Sequence, residues 1–282
     1  MKTRHVRRRV VNVVMLGSTA VATILTVAVL FFLLGFLVYK GGSSLNWAFF
    51  TQLPAPVGEP GGGMANAIVG SGKMLLIAAL IGIPVGFMAG LYLSEFASPR
   101  AATIVRFAAD LLNGVPSIVI GIFVYTLVVL RMGHFSALAG GLALGVMMIP
   151  IMTRSTEEFL RTVPQALREA SLALGASRVT TIARVIVPAA SRGILTAAML
   201  GLTRVAGETA PLLFTALGNR FWSPGISQPT ASLPVMIYTY ATGPYEDWHN
   251  QAWAAGLVLL AFVLLVNGTA RFLLRPRVAS ES

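Results

Sequence analysis

The sequence contains no cysteine. Disulfides, thiolate metal sites and cysteine nucleophiles are excluded, and the redox compartment stays undetermined. Histidine is nearly as scarce. His5, His134 and His249 fall in a terminal segment and two loops, far apart in sequence, which argues against a histidine metal site or a catalytic triad. Charge is scarce as well. Asp, Glu, Lys and Arg make up 11 % of the 282 residues, less than half of the ~25 % usual in soluble domains. So few charges cannot cover the surface of a water-soluble globule of this length. Lipid removes that requirement by solvating an apolar outer face.

What is abundant fits that reading. Apolar residues make up 56 %, against roughly 45–50 % in soluble chains. They gather into six runs of spanning length, at about 13–38, 68–93, 108–130, 135–153, 193–217 and 252–273. The first run follows a basic tail, residues 1–12, with Arg4, Arg7, Arg8 and Arg9. It is about twice the usual 7–15-residue core of a signal peptide, and no small-residue cleavage site follows it, so it reads as a retained span. Loops rich in Gly and Pro occupy residues 40–66 and 218–250. Their aromatics, Trp47, Phe49, Phe50, Trp222, Tyr238, Tyr240 and Trp248, suit a membrane interface. The spans read as helices, since a barrel would show short alternating strands. The predicted class is therefore an all-α transmembrane domain over residues 13–274, with a short tail at 275–282.

A net charge of +11 on a soluble chain would point to nucleic acid. Here the distribution of the charge decides otherwise. With the N-terminus inside, inner segments hold sixteen Lys and Arg residues and outer segments three, Lys40, Arg131 and Arg220. The positive-inside rule then places both termini in the cytoplasm of an inner-membrane protein and makes residues 154–192 a cytoplasmic loop.

That loop carries two helix signals. Thr162 with Gln165 matches a capping box, Pro164 suits a first turn, and Gly175 is a natural stop, which predicts a helix over about 163–174. A second helix is expected from Ser177, loosening near Pro188. Small residues (Ala166, Ala170, Ser171, Ala173, Gly175 and Ala176) would let another protein approach closely. The alternative is an amphipathic loop lying on lipid headgroups.

The fifth run holds two charges. Arg204 lies eleven residues past Gly193, about 17 Å along a helix and so near the bilayer midplane. Glu208 follows at i+4, on the same face if the helix continues. Each such charge costs about 2.5–3.5 kcal/mol on insertion scales, so intramembrane ionisable residues usually face a partner, a cavity or a substrate path. A mutual salt bridge would satisfy both, and it is compatible with a functional role. Pro211 cannot donate to the Gly207 carbonyl, so a backbone break is expected between them. Irregular backbone at membrane depth is tolerated only inside protein or beside water, and transporter sites use it. Arg204, Glu208 and the neighbouring Thr209 are the candidate substrate pathway.

These motifs carry a family resemblance. Glu169-Ala170-Ser171, then Gly175 four positions on, then Val185-Ile186-Val187-Pro188, has the spacing of the EAA loop of type I ABC importer permeases. Substitutions at three positions are mild. The runs TRVAGETAPLLFTALGNRFW, LLNGVPSIVIGIF and ASLPVMIYTY resemble the permease subunits of phosphate importers, the PstA type. The resemblance covers nearly the whole chain. It implies a six-helix permease fold and a coupling helix, with Glu169, Ala170, Ser171 and Gly175 in contact with a separate ATPase. It also implies a second permease of the PstC type, a periplasmic phosphate-binding protein, and ATP and magnesium held only on the ATPase chains. No cofactor, catalytic residue or nucleic acid is expected here. Phosphate itself follows from the resemblance alone.

Other readings are weaker. A permease for molybdate or sulfate shares the class, but GETAPLLFTA argues against it. An ion-coupled secondary transporter lacks an explanation for the EAA spacing. Ala67–Met74 (AIVGSGKM) imitates a phosphate-binding loop but has Ala and Met where that motif needs Gly and Ser or Thr. Lys73 is expected to snorkel to the outer interface, and Asp110 to pair with Arg106 or cap a helix. Pro84 and Pro116 are expected to kink their spans.

Overall fold

A computed structural model describes residues 2–56, 59 and 61–273. The proposed tail at 275–282, with Arg275 and Arg277, lies outside the described residues. Among the described residues every regular element is helical apart from an isolated bridge between Pro54 and Gly62. The helices are α1 (Lys2–Gly42), α2 (Trp47–Thr51), α3 (Ala65–Glu95), α4 (Pro99–Gly114), α5 (Ser117–Val124), α6 (Leu130–Met132), α7 (Ala137–Arg161), α8 (Gln165–Ala173), α9 (Arg178–Thr181), α10 (Val187–Ala206), α11 (Ala210–Thr215), α12 (Leu233–Ala241) and α13 (Glu246–Leu273). Two π turns, Tyr125–Val129 and Ile182–Ile186, join α5 to α6 and α9 to α10.

Among the described residues, five helical stretches are long and apolar enough to cross a membrane: Arg4–Gly42, Ala65–Glu95, Ala137–Arg161, Arg178–Ala206 and Glu246–Thr269. A sixth exists only if α4 and the Ser117–Met132 stretch count as one span. They meet at an angle of 99°. The run predicted at 108–130 is thus two helices. Val115 is extended (φ −69°, ψ 129°) ahead of Pro116, whose ring disfavours a helical predecessor, and the break follows. Pro84, by contrast, sits within an unbroken α3.

The basic residues Arg4, Arg7, Arg8 and Arg9 are helical and continuous with the rest of α1. The segment at 154–192 is largely helical, as its two helix signals predict. α7 runs on to Arg161, and from Arg178 the chain is helical through to Ala206. Pro188 does not end that helix, because the π turn just before it widens the hydrogen-bond ladder where the proline donor is missing. Thr162 does not cap α8. Its hydroxyl donates back to Phe159 O at 2.7 Å, and Pro164 occupies the N-cap. Gly175 does end the segment, at φ +83°, which only glycine adopts freely. Ser177 caps α9 by accepting from Thr180 N.

α7 is the centre of the bundle. In its most apolar stretch 61 % of the residues are buried, whereas in that of α1 none is. α3 packs along α7 through Gly82, Gly86 and Gly90. A Cβ on Gly82 would lie 2.7 Å from Met148 Cβ, and one on Gly90 would lie 2.6 Å from Thr153 O. Gly141 returns the contact against Ile77. Small residues repeating every fourth position let two helix backbones approach, the main source of helix association in lipid. Met74, Ala78, Leu144, Met148 and Met152 fill the core beside them. α1 touches the bundle at its far end, where Phe36 meets Trp253 of α13 edge-on at 5.3 Å.

Candidate substrate pathway

α10 stops at Ala206 and α11 begins at Ala210, so residues 207–209 interrupt the helix. Pro211 lies in the first turn of α11, where its missing N–H costs nothing. It is buried against Gly121 of α5, where an added Cβ would lie 2.7 Å from Pro211 Cα. The break in α10–α11 therefore packs beside the break in α4–α5.

Between the two breaks is a cavity of about 140 Å³. Arg204 and Glu208 line it from one side, and Asn113, Val115 and Ser117 from the other, with Met147 and Ile151 of α7 behind. Arg204 is exposed and Glu208 half-buried. Neither forms a salt bridge or side-chain hydrogen bond among the described residues. The expected i,i+4 ion pair is thus absent. Glu208 lies past the helix end, so the register that would stack it over Arg204 is lost. Thr209 stays outside the lining, and its carbonyl accepts from Leu212 N and Leu213 N. A guanidinium and a carboxylate left free in one small cavity can bind a tetrahedral oxyanion that carries a proton. The guanidinium offers forked donors, and the carboxylate accepts the remaining O–H.

Below the cavity a charge ladder joins α4 to α7. Arg106 Nη2 lies 2.6 Å from Glu157 Oε1, and Arg154 Nε lies 3.2 Å from Asp110 Oδ1. Arg154 and Arg161 also reach Glu157, at 3.3 and 3.0 Å. Asp110 therefore pairs with Arg154 rather than Arg106, because the almost buried Glu157 claims Arg106. Sequence reasoning missed Glu157, although its spacing from Arg154 (i+3) and Arg161 (i−4) was a readable helix signal. It also missed Asn113 and Ser117, which only the bend at Pro116 brings opposite Arg204. Lys73, expected to snorkel outward, reaches the expected outer loop. Its ammonium donates to Ser223 O in the segment after α11.

The other predicted residues lie elsewhere. Glu169 and Ala170 on α8, and Gly175 after it, are exposed, and Ser171 Oγ is 2.9 Å from Thr181 Oγ1. Leu174 and Val179 nearby are 89 % and 70 % exposed. That is an apolar surface with no cover from the described residues.

Residues 82–279 match the model of the binding-protein-dependent transport system inner membrane component family. This chain belongs to that family. It is 45 % identical over 259 residues, 89 % of this chain and 88 % of the relative, to the phosphate transport system permease protein PstA of Yersinia pestis. Identity to the PstA protein of Xylella fastidiosa strain Temecula1 is 46 % over 270 residues, 95 % of this chain and 94 % of that one. A probable PstA protein from Methanocaldococcus jannaschii is 35 % identical over 272 residues, 96 % of each chain. Among solved structures, an inward-facing MetNI methionine ABC transporter chain matches with a TM-score of 0.62 at 20 % identity, covering 75 % of this chain and 94 % of that one. That likeness extends to fold alone. The fold is that of an ABC importer permease, and the protein is a multi-pass inner-membrane component.

Proposed function

We propose that this chain is one membrane-spanning subunit of an ATP-driven phosphate importer, and that phosphate passes beside Arg204 and Glu208. The observation that carries the reading is the unpaired Arg204–Glu208 set in a cavity between two broken helices. Relatives named as phosphate permeases over nearly the full chain support the choice of substrate.

The chemistry favours phosphate over sulfate at this site. Near neutral pH phosphate retains a proton, so one oxygen can donate to Glu208 while others accept from Arg204. Sulfate has no such donor and would set two anions face to face, which is unfavourable where the dielectric is low. Asn113 and Ser117 supply further polar groups on the opposite wall.

In this reading the end of the bundle carrying α8 faces the cytoplasm, as does the N-terminus. The exposed α8, with Glu169, Ala170, Ser171 and the turn at Gly175, docks on an ATPase subunit that holds ATP and magnesium. A second permease closes the open side of the cavity, and a periplasmic binding protein delivers phosphate. A rigid-body movement of a gripped helix is a known way to pass such a signal.

The test is ATP-dependent uptake of radiolabelled phosphate by proteoliposomes holding this chain, its ATPase, the second permease and the binding protein. Uptake should require ATP and resist a hundredfold excess of sulfate or molybdate. Uptake without ATP, or full competition by sulfate, would sink the reading.

A further inference from the structure

Away from the cavity, the nearly buried Glu95 carboxylate ends α3, its side chain 6 % exposed. Both oxygens face Arg168 Nη1 of α8, at 2.6 and 2.7 Å, and Ser94 Oγ donates to one of them. Arg168 Nη2 donates to Leu160 O, in the last turn of α7, at 2.8 Å. One guanidinium on α8 therefore holds the ends of both central helices. It also sits where a cation complements the free carbonyls and the negative end of α7. On the other side of the Gly175 turn, Arg178 donates to the Glu95 carbonyl, and its guanidinium lies 5.0 Å from the centre of the Phe96 ring. Both arms of the α8–α9 hairpin thus close on Glu95 and Phe96.

α8 has no buried residue of its own, so apolar packing alone does not fix it. The far end of α3, about 45 Å away at 1.5 Å per residue, is pinned in the same manner. Asn66 Nδ2 donates to Asn219 O at 2.6 Å, Ser71 Oγ accepts from Leu233 N at 2.8 Å, and Lys73 holds Ser223 O. Between these ends the glycine contacts with α7 leave little room for slip.

We propose that Glu95 is the positioning residue through which movement of α8 reaches the α3–α7 pair. The proposal rests on α8 being the helix that an ATPase grips. A carboxylate bonded at both oxygens transmits direction as well as force, and removing it strands a partly buried guanidinium.

The test compares wild type, Glu95→Gln, Arg168→Gln and the double variant in the reconstituted complex, reading phosphate transported per ATP hydrolysed. Glu95→Gln should lower that ratio roughly fivefold or more, the lower end of ordinary coupling between sites. ATPase subunits should still co-purify, and the double variant should be no worse than the more severe single one. Glu95→Asp should recover part of the ratio, and it carries the test if the Gln variants do not accumulate. An unchanged ratio, loss of the ATPase subunits, or multiplying effects in the double variant would overturn the proposal. A wild-type complex that hydrolyses ATP without any uptake would instead sink the importer reading, before any variant is compared.

Discussion

The α3–α7 contact and the cavity beside Arg204 sit side by side in one bundle and are built on opposite terms. Along α3 and α7, glycines bring backbones so close that an added Cβ at Gly82 or Gly90 has no space. Helix α7 is the most enclosed of the spanning helices, and α3 runs unbroken for 31 residues despite Pro84. Around the cavity, two helices are interrupted, two charges lack partners among the described residues, and space for a small anion is left open. Packing stabilises the first region at the expense of adaptability. The second forgoes packing and charge pairing to keep a polar surface free. A transporter needs both: a rigid part that carries movement and an unsatisfied part that meets the solute.

The contrast can be broken most sharply at Arg204. Because Arg204 has no side-chain partner among the described residues, Arg204→Ala should leave the yield of folded permease and its melting temperature almost unchanged. Uptake should fall about 100-fold, close to 3 kcal/mol, as expected when one member of a charge-recognition pair is truncated. Transport assays on equal amounts of assembled complex measure this. A drop in stability without a drop in uptake would erase the distinction between the regions.

A smaller effect of the opposite kind is expected at Gly86. Its row on α3 meets Met152 and Ile149 of α7. Gly86→Leu should lower stability by about 2 kcal/mol through overpacking, read as a lower melting temperature in detergent. Gly72→Leu is the matched control, since beyond its own helix backbone nothing lies within 4 Å of its added Cβ.

The smallest effect concerns Leu217, the one non-glycine residue with positive φ (60°) among the described residues, at the end of α11. Its side chain is 49 % exposed, so little packing is lost on truncation. Leu217→Gly should raise the melting temperature by an amount equivalent to about 1 kcal/mol or less, the left-handed penalty offset in part by glycine's greater unfolded-state entropy. If the variant instead lowers uptake while stabilising the fold, the conformation at Leu217 belongs to the pathway.

Much was legible without coordinates. Hydropathy located the apolar stretches because lipid demands length and low charge, and both are local properties of the chain. The Gly175 stop and the Ser177 cap were readable because they depend on one residue and its immediate neighbours. The break between Gly207 and Pro211 follows from a missing donor four residues away. Pairing was not legible. A shared helix face sets Asp110 against Arg106, but Glu157, 51 residues on from Arg106, takes it. A continuous helical register sets Arg204 against Glu208, and the break itself removes that register.

The amino-acid order alone therefore determined that this protein spans a membrane by helices, and where its backbone must turn or give way. Those are short-range consequences of hydropathy, glycine freedom and proline chemistry. Only the tertiary structure decided which charges are satisfied and which are left free. A salt bridge depends on where helices distant in sequence come to lie, and that is set by the close glycine contacts of α3 with α7 and by the bend at Pro116.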